Sequence, residues 1–103
     1  MVVFEDVVFQ RNAATLIELS RLQGVIAGAC FLRKIEFYIY AASSWRSALK
    51  FNQGKGIKRP ELKQQAKEYA KATFGLDLDE DTADAVSMGS AFTISYLKEN
   101  VNV

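Results

Sequence analysis

The hydrophobic and polar positions change period along the chain, and each change marks an element. Residues 2–9, VVFEDVVF, are rich in Val and Phe around a central acidic pair. Apolar residues on both faces predict a strand in the interior of a sheet. From Ala13 to Phe31 the period becomes helical, with Leu16, Leu19, Leu22, Ile26 and Ala29 or Cys30 on one stripe and Asn12 placed to cap it. Gly24, Ala27 and Gly28 fall within this helix, where a glycine costs about 1 kcal/mol against alanine. The expected compensation is close approach of the sheet or of a twin helix. Residues 35–41, IEFYIYA, alternate and read as a second strand. SSWRSAL reads as a short helix beginning near Ser43 or Ser44, and FNQGKGIKRPE as a loop. Pro60 suits the first turn of a helix running to Phe74, and Gly75 suits its end. LDLDEDTADAVSMGSAFTISYLKEN supplies a connection and a last helix, from Asp79 or Glu80 to Lys98.

The predicted order is strand, helix, strand, short helix, loop, helix, helix: an α/β chain. A chain of 103 residues makes one domain. Two strands cannot hide both faces of VVFEDVVF. The sheet is therefore expected to be completed by further strands or by a second copy. Phe37, Tyr38, Tyr40 and Trp45 are expected in the core.

Composition changes this picture in three places. The net charge of +1 conceals a partition. Residues 46–71 carry eight bases, Arg46, Lys50, Lys55, Lys58, Arg59, Lys63, Lys67 and Lys71, against Glu61 and Glu68. Residues 72–103 carry six acids against Lys98 alone. That balance suits phosphate and metal chemistry, or a self-complementary dimer. With no histidine and a lone Cys30, an internal disulfide, a His-containing zinc site and Ser-His or Cys-His triads are all excluded. Cys30 between Ala29 and Phe31 reads as a core thiol. Arg21 and Arg33 bracket the longest apolar run, so no stretch of about eighteen apolar residues is expected, nor a membrane partner. The expectation is a cytoplasmic protein.

The acids concentrate the chemistry. Five of them stand within residues 77–84. Asp79, Glu80 and Asp81 suit the positive end of a helix. Capping does not account for Asp84 among Ala83, Ala85 and Val86, nor for Glu5 in the middle of a strand. Asp81 and Asp84, three apart, share one side of a helical turn. A buried carboxylate needs a cation, a hydrogen-bonding partner or a raised pKa. Either Mg²⁺ or Mn²⁺ joins Glu5, Asp81 and Asp84, or Glu5 sits on an edge and reaches solvent.

These segments together resemble the RuvC-like Holliday junction resolvases of the ribonuclease H-like superfamily. VVFEDVVFQRN is similar to the family strand that carries the second catalytic acid, followed by a basic residue and Asn, here Glu5, Arg11 and Asn12. LSRLQGVIAGAC resembles the helix behind it, with its QG step. YIYAASSWRSALKF resembles the segment that places a basic residue, Arg46, toward DNA. IKRPELKQQAKEYA resembles the basic tract with an active-site lysine, whose counterpart is Lys58, Arg59 or Lys63. DTADAVSMGSAF resembles the closing DxxDA helix. The likeness covers nearly the whole chain in order.

The departures are definite. The family's first strand carries an aspartate of the metal site, and two more strands and a helix precede the Glu strand; this chain begins at the Glu strand. An aromatic that the family places three residues after the glutamate is Val8 here, beside Phe9.

The resemblance implies a partial ribonuclease H-like fold lacking its first three strands, with the sheet completed by oligomerisation. It also implies a Mg²⁺- or Mn²⁺-dependent endonuclease acting as a homodimer on four-way DNA junctions. Glu5, Asp81 and Asp84 would be catalytic metal ligands; Arg11, Arg46, Lys58, Arg59 and Lys63 would meet DNA. Without the first aspartate, weak or no cleavage by this chain alone is expected. The competing expectation is a non-catalytic DNA-binding or dimerising module of the same descent. Nothing resembles a small-molecule cofactor motif.

Overall fold

A computed structural model describes residues 1–7 and 12–101. The elements follow the predicted order: β1 Val2–Glu5, α1 Ala13–Leu32, β2 Phe37–Tyr40, α2 Ala42–Ala48, α3 Arg59–Phe74 and α4 Glu80–Val101. The chain is mixed α/β, mostly helical, and divides into two compact units at Ala41/Ala42. Val8, Phe9 and Arg11 lie outside the described residues.

In the first unit β1 and β2 pair in parallel, with Val2 opposite Phe37 and Glu5 opposite Tyr40. Val2 N–H donates to Glu36 O and Asp6 N–H to Tyr40 O, each at 2.9 Å, which carries the pairing one residue past each end. A parallel pair needs a long crossover, and α1 is that crossover. Phe4 and Phe37 stack across the strands with ring centroids 6.0 Å apart.

Among the described residues the sheet has two strands, so β1 is an edge and not the interior strand that its composition predicts. Glu5 is exposed there, and Val2, Phe37, Tyr38 and Ile39 are exposed with it. Of the four aromatics expected in the core, Tyr40 and Trp45 are buried, while Phe37 and Tyr38 are not. The reason is the same for all these departures: an apolar strand is covered only where another strand or helix lies against it.

Asn12 caps α1 as its sequence predicts, accepting from Ala14 N–H at 3.0 Å and Thr15 N–H at 3.4 Å. The covered face of α1 runs through Leu16, Gln23, Ile26, Ala27 and Cys30, while Leu19 and Leu22 of the predicted stripe are exposed. Gln23 takes its place on that face by accepting Val7 N–H at 3.1 Å, which ties the end of the strand segment to the helix. A Cβ added at Gly24 or Gly28 would meet nothing within 4 Å, so among the described residues of this unit no element approaches closely there. With Glu18 and Arg21 its only charged residues, α1 is long and apolar enough, by length and composition, to cross a membrane.

The second unit is a helical cluster in which α3 and α2 both pack on α4. Its core is built of small residues around one large one: Ala66 and Ala70 on α3, Ala83, Ser87 and Ala91 on α4, and Trp45 on α2 are fully buried. Ala66 and Ala70 are four apart, and Ala83, Ser87 and Ala91 follow at intervals of four, so each set forms one stripe. Small side chains let the helix backbones come close. Trp45, Phe51, Tyr69 and Phe74 form a run of edge-to-face contacts along the cluster, with centroids 5.9 to 6.4 Å apart.

The loop between α2 and α3 is held by side-chain amides. Asn52 N–H donates to Gln65 Oε1 at 2.6 Å and Gln65 Nε2 donates back to Asn52 O at 2.9 Å. Gln53 Nε2 bonds Ser43 O and Ser47 Oγ, both at 3.1 Å. Gly75, with φ of 69°, closes α3 in the left-handed conformation, which favours glycine.

Candidate functional site

The α3–α4 contact brings together three of the chemically marked residues. Lys63 lies one turn before Ala66 on the inner stripe of α3, so its stem is buried with the alanines. Its ammonium bonds Asp84 Oδ2 directly and lies 3.7 Å from Asp81 Oδ1. The Lys63 and Asp84 side chains are 11% and 13% exposed; that of Asp81 is 99% exposed. One lysine therefore bridges a covered carboxylate and an open one on the same turn of α4. Asp84 Oδ1 is buried and, among the described residues, accepts no hydrogen bond.

Helix geometry sets this up. Asp79 precedes α4 and caps it: Thr82 N–H donates to Asp79 Oδ1 at 2.7 Å, and Ala83 N–H to Asp79 O at 2.9 Å. The bond from Thr82 N–H, with a further one from the Thr82 side chain and the positive charge of Lys67, holds the Asp79 carboxyl below its usual range. Glu80 and Asp81 fall in the first turn, where the helix dipole favours them. Asp84 is one turn deeper, beside fully buried Ala83, where it faces α3 rather than water.

The remaining expected site residues divide between the two units. Glu5 belongs to the first unit, at the end of β1, and is exposed there. Arg46, on α2, is half-buried, with its guanidinium carbon 5.1 Å from the Trp45 ring centroid. Its Nε is buried without a hydrogen-bond partner among the described residues. Lys58 and Arg59 are exposed at the start of α3, where Lys58 N–H donates to Glu61 Oε2 at 3.0 Å. Of the three counterparts for the active-site lysine left open by the sequence, Lys63 is the one on the acids.

Ser87 was not singled out from the sequence. It lies three residues after Asp84, fully buried, and its hydroxyl has no partner among the described residues. The buried polar atoms of Asp84 and Ser87 thus share one face of α4. The signal for the inward Lys63 was available: Lys63, Ala66 and Ala70 follow the i, i+3, i+7 spacing of a buried stripe.

A hard divalent cation takes about six oxygen ligands, and Mg²⁺ sites draw one or two of them from carboxylates and the rest from water or phosphate. In the second unit two carboxylates are close enough to share a cation, and one of them already bonds an ammonium. Among the described residues no third acidic or sulfur side chain joins them. With the Lys63 ammonium in place, the pair does not fit the expected metal.

No protein-family model, no curated protein and no solved structure matches this chain.

Proposed function

We propose that this chain carries part of a RuvC-like crossover-junction endodeoxyribonuclease, and that on its own it binds four-way DNA junctions with little or no cleavage. The observation that carries the reading is the Lys63 bridge. The basic tract IKRPELKQQAKEYA and the acidic turn DTADA are about twenty residues apart in sequence, and they meet through Lys63, Asp84 and Asp81. A nuclease centre needs carboxylates and a cationic donor close together. The five ordered segments that resemble the family supply the rest of the argument.

In this reading the exposed Lys58 and Arg59 at the start of α3 hold DNA phosphates, and Arg46 adds a third cation. The Mg²⁺ or Mn²⁺ that the resemblance implies would supply activation of water and stabilisation of the leaving oxygen. The resemblance assigns Glu5, Asp81 and Asp84 to that metal; Asp81 and Asp84 are the two that stand together, in the second unit. Homodimerisation belongs to the same proposal. The exposed strand β1 and the open face of α1, with Val25, Phe31 and Leu32 uncovered, offer apolar surface for a second copy.

The test is binding and cleavage of an end-labelled four-way junction and of a duplex of equal length, in Mg²⁺ and in Mn²⁺. Tighter binding to the junction, with few or no nicks, is the expected result. Equal affinity for junction and duplex at moderate salt would sink the reading. Symmetric nicks that disappear in both Glu5→Gln and Asp84→Asn would overturn its second half, the weakness of the isolated chain.

A further inference from the structure

We infer that Lys63 is the resident cation of the Asp81–Asp84 pair, and that its ammonium keeps a divalent metal ion off Asp84 in this chain by itself. The inference concerns the carboxylates of the proposed function and rests on that reading only for the choice of metal. Three features support it. The ammonium is bonded to Asp84 and lies 3.7 Å from Asp81, so it stands between the two groups that a metal would bridge. It is held there by its own burial: the Lys63 stem lies on the inner stripe of α3 with Ala66 and Ala70, and only 11% of the side chain reaches solvent. The competing site is also poor, since Asp81 is fully open to water and no third acidic side chain joins the pair among the described residues.

Charge decides which cation wins. A divalent ion on Asp84 would sit close to a fixed ammonium, and like charges about 4 Å apart repel strongly in a partly screened setting. Lysine leaves this position only by taking its charge out of the carboxylate's reach. Asp84 Oδ1 is already buried without a donor among the described residues, and Oδ2 loses its own once the lysine is gone, so both oxygens of the carboxylate then lack a cation. The chain then has a latent metal site that opens on removal of one positive charge.

Mn²⁺ is the probe, measured by the loss of its free electron paramagnetic resonance signal and by isothermal calorimetry, with no DNA present. Four proteins are compared: the unaltered chain, Lys63→Met, Asp84→Asn, and Lys63→Met with Asp84→Asn. The unaltered chain and Asp84→Asn are expected to bind Mn²⁺ equally weakly, through the scattered surface acids. Lys63→Met is expected to bind roughly tenfold more tightly or better, the scale of a removed like-charge repulsion. The double variant is expected to lose that gain. Mn²⁺ binding by the unaltered chain that falls in Asp84→Asn overturns the inference, as does a folded Lys63→Met protein with no gain. Should Lys63→Met fail to fold, Lys63→Gln takes its place under the same outcomes. Failure of junction binding leaves this experiment untouched, so the two proposals fail separately.

Discussion

Lys63 and Asp84 form an ion pair across the α3–α4 contact, with both side chains nearly closed off from solvent. Such a pair draws little net stability from its charges, because desolvation offsets the attraction, but removal of one member strands the other. Asp84→Ala is therefore expected to destabilise the chain by about 3 kcal/mol. The double replacement Lys63→Met, Asp84→Leu should lose much less, since neither charge is left buried. Urea unfolding of the single and double variants gives the coupling directly. Additive losses would show that the two residues do not act as a pair.

The small-residue stripes make a second expectation. Ala66 is fully buried on α3, in the helix that packs on α4. Leucine there has no room, and Ala66→Leu is expected to cost about 1–3 kcal/mol. The same change at exposed Gln64, two positions away, should stay within about 0.5 kcal/mol. Equal effects at the two positions would mean that α3 does not present its alanine stripe to α4.

These two helices also show where the sequence was legible. Helical spacing, Asn12, Pro60 and Gly75 place α1 and α3 within a residue of their observed starts and ends, because caps and periodicity are local, whereas α4 runs on to Val101, three residues past the expected Lys98. The order of all six elements is equally plain. The strand environment was not legible. VVFEDVVF reads as a buried strand, yet the same residues lie at an open edge, since burial depends on which strands stand alongside. Glu5 illustrates the consequence: its need for a partner followed from an interior position that it does not hold. The inward turn of Lys63 was readable from its spacing to Ala66 and Ala70. Its choice of Asp84 was not, because that depends on how two helices cross.

The open face of α1 leads to an expectation of opposite sign. Gly24 and Gly28 sit inside a long helix, and an added Cβ at either meets no atom within 4 Å. Alanine at each position should stabilise the folded chain, by up to about 1 kcal/mol. Thermal melts of Gly24→Ala and Gly28→Ala measure this. A clear loss, especially one that grows with protein concentration, would show that a second copy packs backbone-close on these glycines.

Asp79 supplies a pH dependence with a definite sign. Its carboxylate caps α4 through Thr82 N–H, and this bond lowers its pKa in the folded chain. A group whose folded pKa lies below its unfolded value binds more protons when unfolded, so its contribution is present above the unfolded value. That contribution fades as pH falls through the folded pKa. Asp79→Ala should thus melt below the unaltered chain at neutral pH, and the gap should close on acidification below about pH 4, the ordinary range of an aspartate. A gap that persists unchanged into strong acid would mean that the Asp79 charge contributes nothing to the cap.

The basic entrance to α3 makes the DNA reading quantitative. Lys58 and Arg59 are exposed, whereas Lys63 is committed to Asp84. Each phosphate contact adds roughly 0.9 to the slope of log affinity against log salt for duplex arms. Replacing Lys58 or Arg59 by alanine should lower that slope by about this amount each, and should weaken junction and duplex binding together. Lys63→Met should leave the slope nearly unchanged, because its charge is already balanced by a carboxylate. Titrations at several salt concentrations separate the three residues. A slope that drops for Lys63→Met and stays fixed for Lys58→Ala and Arg59→Ala would place the phosphate path over the acidic turn instead of the start of α3, and would turn the assignment of cations in this chain around.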